Sequence, residues 1–167
     1  MREFAKGSFA LRQAPRPLRL IYVAFLLLVG IGVVTELGFE IERIGLTPAH
    51  VAAYYRGGEA GTVMMFPKTF GQLLEVTHAH AFMMAVIFLT LAHLFASTST
   101  SRAMQGTVLG ATFVGMVGNL AAPWLTRYGA AWCAWILLVS WGAQGAGSVV
   151  MIAVSTRECL GSPGHGP

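Results

Sequence analysis

The sequence predicts an all-α, polytopic membrane protein in which four transmembrane helices form one bundle. Hydrophobic residues make up 55% of the 167 residues and charged residues only 11%. A soluble domain carries roughly 25% charged residues, so this chain has too few to cover a soluble surface. Four apolar runs each supply the ~20 residues that a helix needs to cross a bilayer. They lack the alternation typical of barrel strands, which favours helices in a single membrane domain, 1–167.

The four apolar runs divide the chain into spans, connections and two tails. We expect a basic tail at 1–19, spans at 20–38, 70–95, 104–125 and 129–154, and a second tail at 155–167. The first run follows a basic segment, as in a signal peptide, but no small-residue cleavage motif follows it. We therefore interpret it as an uncleaved span.

The long connection, 39–69, contains the signals of a short helix at 48–56. Thr47 is a good N-cap residue, Pro48 suits the first helical position, and Gly57 with Gly58 ends the turn. Its aromatic side is suited to lie on the membrane interface.

Lysine and arginine residues indicate the orientation. Seven lie in the two tails and in the connection between the second and third spans, against four in the other two connections. This bias predicts a protein of the inner (plasma) membrane with both termini cytoplasmic and the 39–69 connection outside. Because the net charge of +4 comes from such topology signals, we do not expect a nucleic-acid partner.

Small residues recur at helical spacing in the third and fourth spans. The pattern comprises Gly106, Gly110, Gly115, Gly118, Ala143 and Gly147. Such residues let helix backbones approach closely in lipid. We expect them to pack the monomer, with a contact to another copy or a surface for a flat cofactor as alternatives. The expected partners are the lipid bilayer and either a homo-oligomer or other membrane subunits.

The second span holds the polar residues that point to function, because polar side chains at membrane depth are costly unless they are paired. It carries Glu75, His78, His80 and His93. Helical periodicity places Glu75, His78 and His93 on one face, with His80 about 200° around from His78. In a regular helix the two neighbouring histidines therefore cannot bind one ion together, so either the helix begins irregularly there or the two histidines serve different partners.

We predict a redox metal or haem site near the outer face. Predicted metal ligands are His50, His78, His80 and Glu75, with Glu36, Asn119, Met64 and Met65 in support. Imidazole is the commonest ligand of Cu, Zn and Fe. A copper site built from His50, His78 and His80, with Met64 or Met65, needs no partner chain.

The haem alternative uses His78, His80 and His93 as candidate ligands of haem b. The 15-residue interval from His78 to His93 resembles the arrangement in four-helix membrane cytochromes of the b type. No other span contains a histidine. The second axial ligand would therefore come from another copy, a partner subunit, or Met104 or Met116.

These features predict an accessory or electron-transfer subunit of a membrane complex rather than a complete enzyme. One alternative is a small transporter or proton-relay protein that uses Glu75, His78 and His80. The other is a structural or assembly factor without a cofactor.

Overall fold

The computed structural model describes residues 10–60 and 63–161, and within them it confirms the predicted fold class. Four helices are long and apolar enough to cross a membrane, and a shorter one, α2, lies between the first two. The helices are α1 (Arg16–Arg43), α2 (Pro48–Arg56), α3 (Phe70–Ala96), α4 (Arg102–Trp124) and α5 (Ala134–Leu160). We call the end of the bundle that carries α2 the loop end, and the opposite end the terminal end.

Several boundaries differ from those expected from hydropathy. Helix α1 continues past 38 to Arg43, and α5 continues past 154 to Leu160. Both extensions contain charged residues that form helix readily but do not belong to an apolar run. The connection after α2 also contains an antiparallel hairpin of β1 (Gly58–Ala60) and β2 (Val63–Met65). Strands of three residues leave too short a pattern to be predicted.

Helices α4 and α5 form the closest pair in the bundle. A Cβ atom added to Gly115 of α4 would lie 2.9 Å from the backbone N of Gln144 and 3.0 Å from the O of Ser140. A Cβ atom added to Gly118 would clash with the side chain of Ser140, and one added to Gly147 of α5 would clash with that of Thr112. These three glycines therefore serve packing within the monomer. Gly106 and Gly110, by contrast, have no described atom within 4 Å of an added Cβ.

The terminal end is closed by part of the predicted N-terminal tail. Residues Leu11–Gln13 form a short 3-10 turn, in which Leu11 is fully buried and its N–H donates to the Ser97 carbonyl at 2.9 Å. Arg12 Nε donates to Glu158 Oε2 at 3.1 Å, and the Ser99 hydroxyl donates to the same carboxylate. The remaining parts of the two predicted tails, 1–9 and 162–167, lie outside the described residues.

The loop end is organised by α2, which forms where the sequence predicts it. Thr47 Oγ1 accepts from the N–H of His50 at 3.2 Å, and Gly57, with φ of +82°, ends the helix. Val51 is fully buried against the ends of the spans. Arg56 Nη1 donates to the carbonyls of Thr126 and Gly129, both at 3.0 Å, which ties α2 to the turn between α4 and α5.

The glycine contact between α4 and α5 is testable by substitution. We expect Gly115→Ala to destabilise the bundle by about 1–3 kcal/mol, because its Cβ meets backbone atoms that cannot move away cheaply. Gly110→Ala is the matched control, since its Cβ meets only open space, and helix propensity favours it by about 1 kcal/mol. Thermal unfolding in detergent measures both. Equal stability of the two variants would contradict the close α4–α5 contact.

Candidate metal centre

Helices α1 and α3 bring two carboxylates and an imidazole together toward the loop end. One ligand atom each of Glu36, Glu40 and His80 lies within 4.8 Å of the other two. The two glutamates are four residues apart on α1, so they project from the same face of that helix. His80 comes from α3, and its Nε2 is 3.7 Å from Glu36 Oε1.

The backbone sets the orientation of the His80 ring. Its Nδ1 lies 2.9 Å from the carbonyl oxygen of Val76, one turn earlier on α3. A carbonyl oxygen can only accept, so Nδ1 carries the hydrogen, and Nε2 is the nitrogen turned toward the carboxylates. In the neutral imidazole that Nε2 has a free lone pair. This is the arrangement that metal-binding histidines adopt when a second group holds the other nitrogen.

Within this cluster, Glu40 has a buried carboxylate oxygen that forms no hydrogen bond in the described residues. The residue is half-buried, and this oxygen is its Oε2. A buried carboxylate oxygen without a partner is costly. The side chain of Tyr55 is close enough to be affected: burial raises the pKa of Tyr55, and the charge of Glu40 raises it further, which keeps that hydroxyl protonated.

His78 and His80, the two neighbouring histidines of α3, lie on different sides of the helix. Helix α3 is regular from Phe70 to Ala96, so His78 lies on a different side of it from His80. His78 is exposed and packs edge-on against Phe82, with ring centroids 5.1 Å apart. Glu75 and His93 are also exposed on α3.

The other predicted site residues lie elsewhere. His50 packs against the turn at Gly45, while Met64 and Met65 lie in the hairpin. Asn119 Nδ2 donates to Gln144 Oε1 at 3.1 Å, between α4 and α5. Of the predicted ligands and supporting residues, the described structure therefore brings together His80 and Glu36.

Glu40 is the member of the cluster that the sequence did not lead us to expect. With the first span ended at 38, Glu40 counted as part of the connection. The available signal was the spacing of four residues between Glu36 and Glu40, with helix-compatible residues between them and after them. Extending the helix by a turn and a half would have placed both carboxylates on one face.

The fold defines an integral membrane protein with four candidate spans and a polar cluster between two of them. The family described as a transmembrane helical domain (Aq_1264_TM) matches residues 45–166, and the chain belongs to this family. Neither the curated proteins nor the solved structures contain a match to the chain.

Proposed function

We propose that this small integral membrane protein binds a divalent transition-metal ion through Glu36, Glu40 and His80. The convergence of one ligand atom from each residue within 4.8 Å carries the proposal. The donor set, one imidazole nitrogen and carboxylate oxygens, suits Mn²⁺, Fe²⁺ or Zn²⁺. It is harder than the sulfur-containing set expected for copper, so the cluster favours these ions over Cu(I).

Charge balance supports a divalent ion at this place. When both are ionised, the two carboxylates carry two negative charges next to a medium of low dielectric constant, and the nearby cations are the imidazolium of His80 and the guanidinium of Arg43, which forms no ion pair with either carboxylate within the described residues. A divalent cation balances both and leaves the imidazole neutral, as ligation requires. It also provides a partner for the buried Oε2 of Glu40.

A redox-active ion at this cluster fits an accessory or electron-transfer subunit of a membrane complex. The cluster joins two spans, and the chain has no separate soluble domain within the described residues. A proton relay through Glu75, His78 and His80 is less favoured, because His80 faces Glu36 whereas Glu75 and His78 are exposed elsewhere on α3.

Metal binding is tested on the purified protein loaded separately with Mn²⁺, Fe²⁺ and Zn²⁺. We expect about one equivalent of one of these ions after desalting, measured by elemental mass spectrometry. Glu40→Gln and His80→Ala should each weaken binding by about tenfold or more, because each removes a ligand.

The same helix offers matched controls. His78→Ala and Glu75→Gln remove the same types of side chain from exposed positions of α3 and should leave the affinity unchanged. A metal-free parent protein, or equal losses in the control variants, would contradict the proposal.

Haem b between copies of the chain is a second candidate, favoured by the exposure of both His78 and His93 on α3. A histidine on the membrane-facing surface is accessible to a second copy or a partner subunit, which could supply the other axial ligand. We expect from this candidate a Soret band that is lost in His78→Ala or His93→Ala and kept in His80→Ala. A purified protein that is oligomeric but shows no Soret band would exclude the haem candidate.

We further propose that the protein resides in the inner (plasma) membrane with both termini cytoplasmic, on the support of its lysine and arginine distribution. In intact cells, a membrane-impermeant maleimide should label Glu59→Cys at the loop end. It should label Ser101→Cys, in the turn before α4, only after permeabilisation. The reverse labelling pattern would contradict this orientation.

A further inference from the structure

We propose that a pocket at the loop end binds a phosphate group, as carried by an anionic phospholipid. The pocket has a volume of about 400 Å³ and lies between the end of α1 and the start of α3. Its lining includes Arg43, Tyr54, Phe66, Lys68, Thr69 and Gln72. None of its lining residues belongs to the Glu36, Glu40 and His80 cluster.

The two cations of the pocket are available to an anion. Within the described part of the chain, neither Arg43 nor Lys68 has a carboxylate at ion-pairing distance. Lys68 Nζ lies 3.9 Å from the centroid of the Tyr54 ring, and that contact positions the ammonium group without using its N–H donors. The Arg43 guanidinium is similarly placed 5.2 Å from the Phe39 ring.

The acceptor oxygens of two neutral side chains of the pocket are already in use. Thr69 Oγ1 accepts from the Gln72 N–H at 3.2 Å, and Gln72 Oε1 accepts from the Thr69 N–H at 3.0 Å. This reciprocal pair caps the start of α3. A ligand of the pocket therefore meets two positive charges, and a phosphate with more than one acceptor oxygen matches them better than a neutral polar group.

The depth of the pocket favours a lipid as the source of the phosphate. Arg43 ends one membrane-crossing helix, and Lys68 lies two residues before the start of another. This is the level at which headgroups meet basic and aromatic side chains. Phe66, an exposed residue of the pocket lining, provides apolar surface for the glycerol and the first carbons of the acyl chains.

Native mass spectrometry of the whole chain, released from nanodiscs of phosphatidylcholine with a minor share of phosphatidylglycerol, tests the proposal. We expect the parent protein to retain phosphatidylglycerol selectively. The double variant Arg43→Gln/Lys68→Gln should bind it about tenfold to thirtyfold more weakly, since each basic residue at a lipid surface contributes about fivefold. The matched control Arg102→Gln/Arg157→Gln removes two exposed cations at the terminal end and should bind like the parent.

The phosphate group could come from a lipid headgroup or from a soluble phosphate. Thermal unfolding in detergent with inorganic phosphate or glycerol 3-phosphate distinguishes these two sources. Stabilisation of the parent by these anions but no retained lipid would assign the pocket to soluble phosphate and reject the lipid source. The proposal would be overturned if neither lipid retention nor stabilisation by these anions were observed. An equal loss of lipid binding in the control variant would also overturn it. Where the double variant fails to fold, the single variants Arg43→Gln and Lys68→Gln decide, each with an expected loss of about fivefold.

Discussion

The close approach of α4 and α5 is the contact on which the rest of the bundle depends. Between helices in lipid there is no hydrophobic driving force, so association relies on tight packing and interhelical hydrogen bonds. Gly115, Gly118 and Gly147 permit that packing, and the bond from Asn119 to Gln144 adds a polar contact at the same interface. The other elements attach to this pair: α1 and α3 pack on α5, and α2 is tied to the turn that joins α4 to α5.

The candidate metal centre lies where the bundle is least tightly packed. Helix α1 has only 6% of its most apolar stretch buried, the lowest share of the four spans. Near the terminal end its Leu26 enters the core with Leu91 and Phe95. Toward the loop end the contact between α1 and α3 is polar, from Glu36 to His80. A cation bound there would hold the two helices together as well as balance their charge, which couples metal binding to the stability of this part of the fold.

The sequence was informative wherever a local pattern decides the structure. Continuous apolar runs predicted the four spans, Thr47 and Pro48 predicted the start of α2, and helical periodicity separated His78 from His80. The sequence could not predict which side of each span faces its neighbours. Apolar residues lie on all sides of these helices, so hydrophobicity does not mark the packed side. Glu40 was missed for a related reason: its role depends on α1 continuing past its apolar run to face α3. The burial of Leu11, in a segment that reads as a basic tail, likewise depends on contacts with distant parts of the chain.

The proposed metal centre requires His80 and the two glutamates of α1 to coordinate the same ion. Pulsed electron paramagnetic resonance of the Mn²⁺-loaded protein tests it most directly, because a directly bound imidazole nitrogen couples to the electron spin of the metal. We expect coupling to a single imidazole nitrogen, which disappears in His80→Ala and persists in His78→Ala. Bound Mn²⁺ without nitrogen coupling, or coupling that survives His80→Ala, would contradict it.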